Sequence, residues 1–158
     1  MFVIKNSYFH LGLIGWPLGH SYSPKLHQAA LHALELAGEY LLYPIPPLPK
    51  GEAILTELLV QIRRGDLQGL NVTIPHKQAI IPFLDEITPV ARAIGAVNTI
   101  FQREGRLVGD NTDAPGFLAD LKRLAPELFL AQKRRALVLG AGGSARAVIY
   151  ALAHADWQ

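Results

Sequence analysis

The chain has 158 residues, half of them hydrophobic and 18% charged, the balance of a globular protein with one complete core rather than two. It has no cysteine, which excludes disulfides, zinc–thiolate sites and cysteine nucleophiles together. The formal net charge is +2 with basic residues only in small groups, no apolar run is long enough to span a bilayer, and no signal-peptide pattern opens the chain, so the reading is no nucleic acid, no membrane and a cytoplasmic setting.

Strands and helices alternate along the sequence. Residues 10–16 read as a short buried strand. Ser23 followed by Pro24 marks a helix start, with Ser23 as the capping residue, and apolar residues at helical spacing carry that helix to Gly38. Residues 39–45 read as a second strand, residues 51–64 as an amphipathic helix ended by Gly65, and residues 67–74 as a third strand stopped by Pro75. Short helical pieces follow, the clearest beginning at Thr88–Pro89. Residues 96–101 and 106–110 flank a Glu104–Gly105 turn and read as a hairpin, and a helix is predicted from about Pro115 to Leu124. After the polar stretch Gln132–Arg135, residues 136–140 form an apolar strand that runs into glycines and a last helix.

This alternation predicts an α/β fold with a mixed, mostly parallel sheet flanked by helices, in which the hairpin supplies one antiparallel strand. The last strand and helix read as the first βα unit of a Rossmann-type domain. The expected division is residues 1–113 and residues 114–158. A lone strand and helix cannot close a doubly wound sheet, so the chain reads as a fragment.

Four stretches carry chemistry. Gly140-Ala141-Gly142-Gly143-Ser144-Ala145 satisfies G-x-G-x-x-[G/A]. Gly140 suits a tight turn, Gly142 lets backbone approach a pyrophosphate, Ala145 lets helix and strand pack closely, and the helix N-terminus favours an anion. The residue that would choose NAD or NADP lies about 20 positions further on. Ser21 and Ser23 stand two apart at a helix mouth, where hydroxyls and free N–H groups make a cradle for a carboxylate, although capping alone would explain Ser23. In Asn71-Val72-Thr73-Ile74-Pro75-His76-Lys77, Asn71 and Thr73 share one strand face while Val72 and Ile74 take the other. Lys77 follows at the turn, either merely solvated or placed to exchange a proton with a substrate hydroxyl. Asn98 suits vicinal hydroxyls, and Asp113 either caps the next helix or holds an ammonium.

Together the patterns S-x-S-P, N-V-T-x-P-x-K, G-A-V-N-T, G-x-N-T-D-x-x-G-F and G-A-G-G-S-A-R-A, in this order from about residue 10 onward, resemble the shikimate dehydrogenases. The resemblance implies reversible NADP-dependent oxidation of shikimate to 3-dehydroshikimate in aromatic amino acid biosynthesis. It implies Lys77 and Asp113 as the catalytic pair, Ser21 and Ser23 on the substrate carboxylate, and Thr73 and Asn98 on its hydroxyls, with Asn71 a lesser candidate. It implies Gly140, Gly142, Gly143, Ser144 and Ala145 around the pyrophosphate; Arg146 beside them serves to cap or pack. NADP is the expected cofactor, with NAD left open by the residues present.

The family continues past the point this sequence reaches, with the rest of a nucleotide domain and a returning C-terminal segment, so the chain taken alone is expected to show little or no dehydrogenase activity. Two other readings stand beside it: a quinate/shikimate dehydrogenase, and a non-catalytic module that grips a hydroxylated acid. The sequence is silent on oligomeric state, with a homodimer among the options.

Overall fold

The computed structural model describes residues 8–131 and 133–158. Residues 1–7 of the first expected unit and Gln132 of the expected polar stretch lie outside the described residues. Among the described residues six strands form one sheet, in the order β2-β1-β3-β5-β6-β4. They are β1 (Phe9–Gly15), β2 (Gly38–Pro44), β3 (Gly69–Val72), β4 (Glu86–Ile87), β5 (Thr99–Arg103) and β6 (Arg106–Asp110). The helices are α1 (Ser23–Ala33), α2 (Glu52–Arg64), α3 (His76–Ala79), α4 (Pro89–Ile94), α5 (Asp113–Leu124) and α6 (Gly143–Ala153).

β1 pairs in parallel with β2 and β3, and β4 in parallel with β6, while β5 runs antiparallel to both β3 and β6. The predicted mixed, mostly parallel sheet with one reversed strand is therefore present. The hairpin turn places Glu104 at φ 53° and Gly105 at φ 79°, the left-handed pair that matches the twist of two antiparallel strands. Leu55, Leu58, Leu59 and Ile62 of α2 pack on Ile14, Leu70, Val72 and Ile100 to build the main core. A second cluster joins Ile94 and Ala96 to Ala114 of α5 and Ala147 and Ala151 of α6, where the alanines let the helices approach closely. No helix among the described residues is long and apolar enough to cross a membrane.

Two expectations change. Residues 136–140 are not assigned as a strand, and Leu137 and Leu139 are 85% and 87% exposed. A strand is defined by the neighbour that takes its hydrogen bonds. Among the described residues that pairing is limited to Gln158, whose N–H donates to Arg134 O and whose carbonyl accepts from Ala136 N. The first helix ends at Ala33 rather than near Gly38, because Glu35 turns to φ 55° and Gly38 opens β2.

At the far end of the sheet, Arg63 of α2 donates to Asp85 at 2.8 Å, and Asp85 also accepts the Leu107 N–H at 2.7 Å. The Arg63 guanidinium, then the Leu107 N–H, hold the Asp85 carboxyl below its usual range. Its folded-state pKa is depressed, so its contribution to stability is present above the unfolded value near 3.8 and is lost as pH falls through the folded one. In thermal melts across acidic pH, Asp85→Asn should flatten the loss of stability below about pH 4. An acid limb as steep as the parent's would assign that loss to other carboxylates.

Candidate active site

The site forms where the C-terminal ends of β1 and β3 meet the start of α5. Trp16 N–H donates to Ile74 O at 2.9 Å and Thr73 N–H to Ile14 O at 2.9 Å, so the loops leaving β1 and β3 travel together. Gly15 permits this: a Cβ there would fall 2.8 Å from Leu18 Cδ2 and on Thr73 Cγ2. β3 ends at Val72, and the chain then turns, leaving Ile74 71% exposed at the rim. The expected alternation therefore holds for Asn71, Val72 and Thr73 and fails at Ile74.

Beyond that turn, the short helix α3 carries Lys77 inward. His76 is buried, with Nε2 2.8 Å from Ile45 O, and Val97 N–H donates to Lys77 O at 2.7 Å. The Lys77 segment is thus fixed to both sides of the core. Lys77 Nζ donates to Asp113 Oδ2 at 2.5 Å, and its side chain is 15% exposed against 31% for Asp113. A pair so enclosed is screened less than a surface ion pair.

Asp113 does not cap α5. Asn111 does, its Oδ1 accepting from Asp113 N at 3.1 Å and Ala114 N at 3.4 Å, while its Nδ2 donates to Ala96 O at 3.0 Å. The Asp113 carboxylate is therefore available to Lys77 on one oxygen and to Asn98 Nδ2 on the other, at 2.8 Å. Asn98 is buried, and its second amide hydrogen goes to Thr112 Oγ1 at 2.9 Å while its Oδ1 accepts from Thr112 N at 2.9 Å. Asn98, expected at the substrate hydroxyls, is in this structure the side chain that orients Asp113.

The serine pair also shifts by one role. Ser23 is the first residue of α1 and Tyr22 the capping position, which supplies no side-chain bond. Ser21 Oγ accepts the Ser23 N–H at 3.2 Å. Ser23 is thus not the cap, and it is Ser21 whose hydroxyl serves the backbone at the mouth of α1. Asn111 and Tyr40, whose hydroxyl donates to Asn71 Oδ1 at 2.7 Å, are neighbours of the expected site residues that the sequence reading did not select. An Asn two positions ahead of a helix is a recognisable turn signal, whereas Tyr40 looks like any strand residue.

The glycine-rich stretch reaches this same place. Gly140 adopts φ 126°, a conformation that favours glycine, and Gly142 has open space around its Cβ position. Gly142 caps α6 with no side-chain bond, which leaves its first-turn N–H groups for an anion. A Cβ on Gly143 would lie 3.0 Å from Lys77 Cδ and 3.4 Å from Ala96 Cβ, and Ser144 Oγ is 3.5 Å from Lys77 Nζ. Thr73, Lys77, Gly142, Gly143, Ser144 and Ala145 share a cleft of about 440 Å³. These features fit a dinucleotide's pyrophosphate: an unobstructed backbone and a helix N-terminus, with the Lys77 side chain close by. Arg146 Nε donates to Ala141 O at 3.2 Å and so braces the loop.

The fold is α/β, with a lysine–aspartate pair set against a glycine-rich turn at the helix α6 N-terminus, the features of a dinucleotide-binding α/β protein. Residues 13–100 match the family described as the shikimate dehydrogenase substrate binding domain, and the chain belongs to that family. Over 141 residues it is 48% identical to the shikimate dehydrogenase (NADP(+)) of Carboxydothermus hydrogenoformans, covering 89% of this chain and 48% of that protein. It is 50% identical over 141 residues to the enzyme of the same name from Dictyoglomus thermophilum, again over 89% of this chain and 48% of the relative. Among solved structures, the shikimate dehydrogenase of Aquifex aeolicus superposes with a TM-score of 0.83 at 39% identity, over 98% of this chain and 55% of that one. The Thermus thermophilus enzyme in complex with NADP(H) and shikimate gives 0.80 at 45% identity, over 94% and 53%. The chain spans about half the length of the curated relatives it matches.

Proposed function

We propose that this chain supplies the shikimate site and the catalytic pair of an NADP-dependent shikimate dehydrogenase. The observation that carries the reading is the Lys77–Asp113 pair, enclosed and placed against the glycine-rich loop. Ser21 and Ser23, at the N-terminus of α1, bind the substrate carboxylate. Thr73 and Asn71, on the shared face at the end of β3, bind ring hydroxyls, and Asn98 reaches them by exchanging its bond to Thr112. Gly140, Gly142, Gly143, Ser144 and Ala145 would hold the pyrophosphate of NADP, whose nicotinamide ring would accept the hydride. Residues 1–113 form the substrate unit and residues 114–158 the connecting helix and the opening of the nucleotide unit.

In the oxidising direction the Lys77 amine takes the proton of the substrate hydroxyl as the hydride leaves the same carbon; in the reducing direction the Lys77 ammonium returns that proton to the carbonyl oxygen. Asp113 holds Nζ in line with the hydroxyl, and Asn98 fixes the plane of Asp113. A cytoplasmic setting accords with the cysteine-free composition.

Calorimetric titration with shikimate, without nucleotide, tests the reading. The chain should bind saturably, and Ser21→Ala should weaken binding by roughly tenfold or more, the loss of one hydrogen bond to a charged group. Quinate titrated in parallel should bind more weakly. Equal or tighter quinate binding would move the assignment to the quinate/shikimate enzymes, and unaltered affinity in Ser21→Ala would remove the carboxylate from this helix mouth.

A further inference from the structure

We propose that Tyr40 is a positioning residue for this site: its phenol heads a hydrogen-bond chain that runs in one direction through Asn71, Thr99 and Asn98 to the Asp113 carboxylate. Tyr40 lies on β2, on the far side of β1 from Asn71, and is 6% exposed. Its hydroxyl donates to Asn71 Oδ1 at 2.7 Å. Asn71 Nδ2 then donates to Thr99 Oγ1 at 3.4 Å, and Thr99 Oγ1 donates to Asn98 Oδ1 at 3.0 Å. Asn98 Nδ2 donates to Asp113 Oδ1 at 2.8 Å, and Lys77 closes the chain from the other side.

The direction is set by backbone groups that cannot reverse. Asn98 O, an acceptor only, takes the other Asn71 hydrogen at 3.4 Å, so the Asn71 amide must face it with nitrogen and turn its oxygen to Tyr40. Thr112 N–H, a donor only, faces Asn98 Oδ1 at 2.9 Å, so Asn98 must present nitrogen to Asp113. Thr99, with one hydrogen, accepts from Asn71 and donates to Asn98, joining the two fixed amides. Tyr40 satisfies the one end that no backbone group reaches, the Asn71 oxygen.

The phenol is itself held. His27 of α1 stacks on its ring, with centroids 4.2 Å apart and planes 7° apart. Burial raises the Tyr40 hydroxyl to about 12, with Ser23 as a hydrogen-bonding neighbour acting in the opposite direction, so the group stays protonated and remains a donor. The His27 stack also ties the phenol to α1, the helix whose first residue is Ser23.

Tyr40→Phe removes the donor and keeps the ring in the His27 stack. In ¹⁵N spectra of the chain, the side-chain amides of Asn71 and Asn98 should shift and exchange faster with solvent, while far-UV circular dichroism stays unchanged. Shikimate affinity should fall about three- to tenfold, the net worth of one hydrogen bond. Because Tyr40 acts through Asn71, Tyr40→Phe should change affinity by less than about twofold in an Asn71→Ala background. The affinity readout rests on the shikimate reading proposed above; the amide readout does not, so a parent chain that binds no shikimate defeats that reading and still leaves the hydrogen-bond chain tested. Asn98 amide signals that do not respond to Tyr40→Phe, or losses that simply add in the double variant, would overturn the proposal.

Discussion

Lys77→Met should lower NADP-dependent oxidation of shikimate by about 10²- to 10⁴-fold, the usual worth of a positioned acid/base group, when assayed in a protein that carries this chain at its relatives' full length. Methionine keeps the apolar stem of the lysine, so the close approach to Gly143 survives and the loss reports Nζ alone. Shikimate binding should fall much less than turnover, because Ser21, Ser23 and Thr73 remain in place. Asp113→Asn should lose less than Lys77→Met, since Asn98 and Asn111 still fix the residue at the start of α5. The double variant should lose little more than Lys77→Met alone, because the aspartate acts through the lysine and groups that act as a unit are not additive. Losses that multiply would give Asp113 an independent role on the substrate. Wild-type turnover in Lys77→Met would remove the lysine from proton transfer and leave it as a clamp on the aspartate.

The parts of this molecule that could be read from sequence are those set by local chemistry. Gly65 ends α2 at φ 81°, Thr88 accepts the Ala91 N–H at the start of α4, and the Glu104–Gly105 turn joins β5 to β6; each follows from what a single residue type can do. The parts that could not be read depend on partners distant in sequence. β4 is two residues long and exists because β6 offers it an edge. The apolar residues 136–140 show the converse, since hydrophobicity alone forms no strand where pairing is confined to Gln158. At the site, residue types alone left Lys77, Asp113 and Ser21 open between bland and chemical roles, and it was their order along the chain, shared with a known family, that singled them out together with the glycine stretch. Their support was hidden. That Asn111 rather than Asp113 caps α5, and that Tyr40 reaches Asn71 across β1, are facts of three-dimensional closure, set by a helix start and a strand order that one-dimensional spacing does not carry.

Gly15→Ala tests that closure most severely, because β1 and β3 meet there with no room for a methyl group. The new Cβ would sit on Thr73 Cγ2, 2.8 Å from Leu18 Cδ2 and 3.1 Å from the backbone oxygen of Ile74. Two responses can relieve the overlap. Thr73 can rotate about χ1, which carries its hydroxyl away from the cleft, or the ends of β1 and β3 can part, which stretches the bonds from Trp16 N to Ile74 O and from Thr73 N to Ile14 O. The second response also moves the loop that carries Lys77. Overpacking of this kind costs about 1–3 kcal/mol, and in a chain of this size each kcal/mol lowers the melting temperature by about 2–4 °C. Shikimate affinity should fall by about tenfold or more, since either response displaces Thr73. Gly19→Ala, in the loop that follows β1 and with nothing within 4 Å of its Cβ position, should leave both melting temperature and affinity unchanged. If Gly15→Ala melts lower yet binds shikimate as the parent does, the strand junction serves stability alone and Thr73 is not a substrate contact. If affinity falls with the melting temperature while Gly19→Ala stays silent, the close approach of β1 to β3 is what assembles the serine-bearing helix mouth and the lysine turn into one site.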